Sequence, residues 1–111
     1  AAARGGSFEA LMAVLDPEVV LRADAAAAMG RGAVELRGAV AVGRGALAAA
    51  RGAGGARLAL VNGSPGLIVA PRGRLRLVVA FEVENGRVAA IDVIADPKRL
   101  RGLELAVVPG S

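Results

Sequence analysis

The stretch Leu75–Ala95 limits what this chain can fold into more than any other feature of its sequence. It consists of two β-rich runs joined by Asn85-Gly86, a pair that suits a two-residue type I′ turn because both central residues need positive φ. Counting outward from that turn places Val79 opposite Asp92. One face of the predicted hairpin then carries Leu77, Val79, Phe81, Val83, Val88, Ala90, Asp92 and Ile94. Asp92 is therefore expected to be a single acid on an otherwise apolar face.

The composition fits one folded domain. The chain has 111 residues, of which 55% are hydrophobic and 22% are charged. This length allows one hydrophobic core, and this balance excludes a disordered tail. The absence of cysteine excludes a disulfide framework and fits a reducing, cytoplasmic compartment. No segment reaches the ~20 consecutive apolar residues of a membrane span. The chain starts with three alanines rather than Met, so we expect it to be part of a longer polypeptide.

The basic residues are not expected to form a nucleic-acid site. The formal net charge is +4, but the arginines are spread along the chain with one local cluster at Arg72, Arg74 and Arg76. No aromatic residue lies beside that cluster to stack on a base. We therefore expect solvated arginines and no direct contact with nucleic acid.

The hydrophobic periodicity predicts an α+β fold. Helices are predicted over Phe8–Leu15, Gly38–Arg51 and Pro97–Leu103. Strands are predicted over Val19–Asp24, Ala56–Asn62 and Leu67–Ala70, in addition to the two strands of the hairpin. A loop over residues 25–34 and a turn at residues 63–66 separate some of these elements. Strands concentrated after helices indicate helices packed on a strongly curved antiparallel sheet. Such a sheet closes a cone around an apolar cavity, where a small apolar ligand can bind. Residues 1–102 form the predicted domain, and the apolar tail 103–111 either adds an edge strand or covers a patch in a homodimer.

Three segments resemble one protein family in their order and spacing. They are Val19-Val20-Leu21-Arg22-Ala23-Asp24, Val61-Asn62-Gly63-Ser64-Pro65-Gly66-Leu67 and Asp96-Pro97-Lys98-Arg99-Leu100. Together they resemble the SnoaL-like domain fused to the C-terminus of certain extracytoplasmic-function RNA polymerase sigma factors. The resemblance implies the cone-shaped α+β fold of the nuclear-transport-factor-2-like (NTF2-like) proteins, a fold that is also called cystatin-like. It also implies a regulatory, non-catalytic role through contacts with sigma regions 2 and 4 and RNA polymerase.

The sequence departs from the family at two places that the resemblance assigns to the sigma-region contacts. The family typically has Asp-Gly-Gly-Gly where this chain has Asp24-Ala25-Ala26-Ala27, and Asn-Pro-Asp-Lys-Leu where it has Asp96–Leu100. The candidates for interdomain contact are Asp24, Asp96, Pro97, Lys98, Arg99 and Leu100. Independently of the family, Asp96 is a good N-cap and Pro97 a good first helical residue, and this structural role is compatible with docking.

Pocket candidates follow from the predicted cone, and they are Arg22, Asp24, Val79, Phe81 and Asp92. Asp92 is either a general base or hydrogen-bonding anchor in the cavity, or an acid that pairs with Arg22, lies at the rim, or is turned to solvent by a β-bulge. Asp24 either lines the cavity mouth or serves as a turn or cap residue. Glu35 and Arg37 are expected to form a solvated pair.

Catalysis has little support in the sequence. The chain has no His, Cys or Tyr, so the usual base, nucleophile and phenolic donor are missing. The ten acids are scattered, so neither a metal site nor a cofactor is expected. The alternative to the regulatory function is a stand-alone SnoaL-like small-molecule binder, or a cyclase- or isomerase-type enzyme that uses Asp92 or Asp24.

Overall fold

The computed structural model describes residues 11–28, 30, 32–52 and 57–107, which are organised around one seven-stranded sheet. The strands are β1 (Leu15–Ala23), β2 (Val34–Arg37), β3 (Arg57–Val61), β4 (Ser64–Val69), β5 (Leu77–Glu84), β6 (Arg87–Ile94) and β7 (Leu105–Val107). The helices are α1 (Ala39–Gly52) and α2 (Pro97–Arg101), with a further helical segment at residues 11–14 and a 3-10 turn at Pro71–Gly73. The predicted α+β class with a curved sheet is confirmed.

The sheet has the spatial order β2-β1-β6-β5-β4-β3-β7. The meander from β3 to β6 is antiparallel, as expected, whereas β1 runs parallel to its neighbour β6. The sheet is therefore mixed, because β1 enters from the start of the chain and lies beside the last strand of the meander. This parallel pairing places the end of β1 next to the end of β6.

Local signals located the two helices well and some strand ends less well. α1 and α2 lie within a residue or two of the predicted helices at Gly38–Arg51 and Pro97–Leu103. β1 begins at Leu15, four residues before the predicted strand, because its first residue pairs with β6. The sequence did not predict β2, most of which lies beyond the predicted loop. This strand has only four residues, and it forms because they pair with β1. The N-terminal part of the first predicted helix, before residue 11, lies outside the described residues.

Two Asn-Gly pairs make the tight hairpin turns. Asn85 and Gly86 have φ values of 52° and 77°, and Asn62 and Gly63 have values of 50° and 84°. The first turn confirms the type I′ prediction. The predicted turn over residues 63–66 is wrong, because β4 already begins at Ser64 and contains Pro65.

A β-bulge shifts the register of the central hairpin and corrects the predicted position of Asp92. Val83 faces Val88 as predicted, but Glu82 then faces Ala90, so that Ala89 is the extra residue. Val79 consequently faces Val93, while Asp92 faces Ala80. Successive side chains alternate between faces, so Asp92 lies on the face opposite Val79 and Phe81. The prediction that these three residues share one face is therefore wrong.

Two hydrophobic clusters lie on opposite faces of the sheet. The first cluster consists of Leu15, Val19, Leu21, Ile91 and, from α1, Val42. Val79 and Phe81 pack against it. Residues of the second, which includes Leu100 of α2, are Ala59, Val61, Ile68, Val78, Ile94 and Leu100. Leu105 packs against the second cluster and β7 pairs with β3, so the described part of the tail forms the predicted edge strand.

Candidate functional site

Asp24 connects the end of β1 to the start of α2. Its Oδ1 accepts hydrogen bonds from the backbone N–H of Ala27 at 2.8 Å and of Ala95 at 3.2 Å. Its Oδ2 accepts from the N–H of Ala95 and of Asp96, both at 3.0 Å. The side chain is only 11% exposed. Asp24 therefore caps the local turn, which is one of the two roles weighed for it, and it also holds a segment that is far away in sequence, a role that the sequence did not indicate.

The start of α2 has the N-cap residue and the first-turn proline that the sequence predicts. Asp96 is the N-cap and accepts a hydrogen bond from the N–H of Lys98 at 3.1 Å, and Pro97 occupies the first turn. Leu100 is buried in the second cluster, whereas Pro97, Lys98 and Arg99 are exposed. The short helix thus anchors itself through one apolar side chain and presents its basic residues outward.

The contact candidates converge at one corner of the molecule. The Arg99 Nη1 atom lies 3.5 Å from Asp24 Oδ2, and the Asp24 backbone N–H bonds to Val93 O at 3.1 Å. Asp24 and Asp96–Leu100, which are more than 70 residues apart, therefore form one continuous structure. We call it the Asp24–α2 corner.

The environment of Asp24 keeps its carboxyl ionised. Burial is the largest single influence and raises its pKa, but the hydrogen bonds from Asp96, Ala27 and Ala95, together with the Arg99 charge, outweigh it and lower the pKa below its usual value. A carboxylate held by backbone donors in this way is a poor general base. The Asp24–α2 corner is therefore suited to holding its two chain segments together and not to transferring a proton.

Arg22, Asp24 and Asp92 do meet in one cleft, together with Glu35 and Arg99. This charged cleft has a volume of about 350 Å³. Val79 and Phe81 do not line it, because the bulge places them on the other face of the sheet.

Glu35 is the partner of Arg22 in the charged cleft. Within the described residues, Arg22 Nε pairs with Glu35 Oε1 at 3.2 Å and not with Asp92. Arg37 Nε lies 2.7 Å from Glu35 Oε2, in line with the expected solvated pair. The side-chain hydrogen bonds from Arg22 and Arg37 lower the pKa of Glu35.

A larger cleft, of about 770 Å³, lies on the other side of the Asp24–α2 corner. Its lining residues are Ala26, Ala27, Val69, Leu75, Arg76, Leu77, Ala95, Pro97, Leu100 and Arg101. We call it the α2 cleft. Sequence reasoning missed it because four separate segments build it, and no periodicity within one segment signals such a site. The sequence offered two clues to this cleft: the two ends of the predicted hairpin, and the arginine cluster at Arg72, Arg74 and Arg76.

The described residues contain no group of three or more His, Cys, Asp or Glu side chains that could hold a metal ion. None of their helices has both the length and the apolar character needed to cross a membrane.

Several solved structures are similar to this chain. The extracytoplasmic function sigma factor SigJ of Mycobacterium tuberculosis is 26% identical with a TM-score of 0.66, over 92% of this chain and 41% of SigJ. An NTF-2 like protein of unknown function from Burkholderia xenovorans is 17% identical, with a TM-score of 0.51 over 93% of this chain and 85% of that protein. A designed protein with a curved β-sheet is 18% identical, with a TM-score of 0.56 over 89% of this chain and 80% of that design.

The comparisons show the fold. No family model and no curated protein matches the chain. The chain spans about two-fifths of the length of SigJ, since it covers 41% of that protein. The curved mixed sheet and these likenesses identify an NTF2-like, SnoaL-like α+β fold.

Proposed function

We propose that this chain is a non-catalytic regulatory domain of a sigma factor. In this role it modulates sigma and RNA polymerase activity in the cytoplasm through contacts with sigma regions 2 and 4. The likeness to SigJ supports the proposal because it extends over 92% of the chain. The resemblance of three sequence segments to sigma-fused SnoaL-like domains supports it independently.

The observation that carries the proposal is the construction of the Asp24–α2 corner. The two segments that the resemblance assigns to sigma-region contacts are held together by three hydrogen bonds, which Asp24 accepts from the backbone N–H groups of Ala95 and Asp96, and by the ion pair between Asp24 and Arg99. Lys98 and Arg99 project from this corner as exposed side chains. A rigid corner with an outward basic face is suited to interdomain contact, because little ordering is needed when the partner binds.

The alternative of a small-molecule binder or enzyme has less support. Asp24 is engaged by backbone donors, and Asp92 lies on the sheet face opposite Val79 and Phe81. Val79 and Phe81 themselves pack against the first hydrophobic cluster. The acids and the apolar residues that such a site requires are thus not brought together.

The test is promoter-directed transcription by the full-length protein. Deletion of this domain should change transcription several-fold. Lys98→Glu should change it in the same direction, because the exposed charge at the corner is reversed. Arg87→Glu, an equally exposed charge reversal at the far end of the central hairpin, serves as the control and should have no effect. Unchanged transcription after both the deletion and Lys98→Glu would overturn the proposal.

A further inference from the structure

We propose that the α2 cleft is a docking groove for an acidic, amphipathic segment of a protein. The carboxylates of that segment would bind Arg76 and Arg101 while an apolar side chain enters the groove. This inference deepens the proposed function and rests on it, since it specifies the chemistry that the contacting sigma-region surface must have. It also adds the connection between β4 and β5 to the contact surface, a part that the family resemblance did not indicate.

The floor of the α2 cleft is apolar. Val69 and Leu77 are paired across β4 and β5, and Leu100 closes the groove from the side of α2. The remaining lining residues are alanines, a proline and a leucine, apart from the two arginines. The cleft volume of about 770 Å³ leaves room for more than one apolar side chain of a partner.

The rim of the cleft is positive. Arg76 and Arg101 are exposed, and neither forms an ion pair with a carboxylate of the described residues. The backbone of Arg76 is held at the cleft by its N–H, which donates to Val69 O at 2.9 Å. Arg72, Arg74 and Lys98 are also exposed, and each lies within three residues of a lining residue in the sequence.

The acids nearest the cleft are already used within the domain. Asp24 is bound by backbone N–H groups and by Arg99, and Asp96 caps α2. None of the described residues that line the groove is acidic. We therefore expect the carboxylates that complement Arg76 and Arg101 to come from a partner, because charges across an interface are arranged to be complementary.

A protein segment fits the groove better than nucleic acid does. None of the described residues that line the cleft is aromatic, so among them bases would have nothing to stack on. A phosphate backbone would use the arginines but leave the apolar floor uncovered. A segment with both carboxylates and apolar side chains satisfies both parts of the groove.

The experiment is site-specific photo-cross-linking in the full-length protein. Ala26 is exposed at the edge of the cleft and is replaced by a photoreactive amino acid, after which the cross-linked site is identified by mass spectrometry. We expect a cross-link to an acidic, amphipathic protein segment. Combining Arg76→Glu with Arg101→Glu should reduce its yield at least tenfold. Arg57→Glu with Arg87→Glu, two exposed reversals outside the cleft lining, should leave the yield unchanged, and all variants are compared by thermal unfolding.

The outcomes separate this inference from the proposed function. A charge-dependent cross-link to sigma-region residues supports both. The same cross-link to another protein, with transcription unaffected by domain deletion, supports the acidic docking groove and overturns the sigma-factor role. Absence of a protein cross-link, a cross-link only to nucleic acid or a small molecule, or a yield that is insensitive to the double reversal in a folded variant overturns the docking groove.

Discussion

Asp24 accepts backbone hydrogen bonds from a neighbour three residues away and from a segment 71 and 72 residues away. Its carboxylate replaces the solvent that the N–H groups of Ala95 and Asp96 would otherwise need. Removing it would leave these donors unsatisfied in a partly buried place, which costs more than the bond itself contributes. Asp24 thus fixes the position of α2 together with the buried Leu100.

Asp24→Ala should lower the free energy of unfolding by about 2–3 kcal/mol, since hydrogen bonds to a charged group are lost and their donors left unpaired. Urea denaturation followed by far-ultraviolet circular dichroism measures this change. Glu82→Ala removes an exposed carboxylate from β5 and is the matched control, with an expected change below about 0.5 kcal/mol. Equal effects of the two substitutions would contradict the role assigned to Asp24.

The lowered pKa of Asp24 gives stability a defined dependence on pH. Because the folded-state pKa lies below the unfolded value, the contribution is fully present above the unfolded pKa, about 3.9 for Asp. It is lost as the pH falls through the folded pKa. Glu35, whose pKa is also lowered, acts in the same direction but as an exposed pair of small effect.

Unfolding free energies of the parent chain and of Asp24→Asn, measured between pH 7 and pH 2, test this linkage. The difference between them should be constant from pH 7 to about pH 5 and should shrink below about pH 4, where the parent loses the ionised carboxylate. A difference that grows as the pH falls would show that the sign of the linkage is wrong.

At the scale of elements, β4 shows how a close approach of two backbones restricts the sequence. A Cβ added at Gly66 would lie 2.5 Å from Val79 O and 2.7 Å from Val61 Cγ2. One of these contacts is with backbone, which cannot move aside without disturbing the pairing of β4 with β5. Gly66 therefore allows β4 and β5 to pair in the observed register. Residues of these two strands form one wall of the α2 cleft.

Gly66→Ala should destabilise the fold by about 1–3 kcal/mol or more through overpacking. Gly102→Ala is the matched control. Its added Cβ would lie at 3.6 Å from Arg99 O, an ordinary contact, and its φ of −86° is compatible with alanine. We expect a gain of up to about 1 kcal/mol there, from the reduced freedom of the unfolded chain. Thermal unfolding of both variants decides, and a tolerated Gly66→Ala would rule out the close contact.

At the scale of the whole molecule, one sheet joins two hydrophobic clusters. Ile91 belongs to the cluster that includes α1, and Ile94 belongs to the cluster that includes α2. Both residues lie on β6, which pairs with β1 on one side and with β5 on the other. This central strand should make the two clusters unfold together.

Ile91→Ala and Ile94→Ala should each lower the free energy of unfolding by about 2–5 kcal/mol, the usual cost of a cavity in a core. In native-state hydrogen exchange, each variant should reduce the protection of slowly exchanging amides in both β1 and β4. Loss of protection confined to the strands around the substituted cluster would show two separately unfolding units.

The sequence by itself determined the elements whose signals are local. The Asn85-Gly86 turn, α1 and the Asp96-Pro97 start of α2 depend on φ preferences, helical spacing and capping within a few residues. The resemblance added the fold, and it assigned Asp24 and Asp96–Leu100 to contacts with the sigma regions, which stays a prediction. The predictions of the turn, of α1 and of the start of α2 were sound because each depends on neighbouring residues.

Only the tertiary structure decided where the side chains point. The bulge at Ala89 moved Asp92 to the opposite face from Val79 and Phe81, since one extra residue reverses every later side chain of a strand. The parallel pairing of β1 with β6 brought Asp24 to the N–H groups of Ala95 and Asp96, and it placed Ala26 and Ala27 beside the other segments that line the α2 cleft. Register and long-range pairing are set by the packing of the whole sheet, and for that reason local sequence could not specify them.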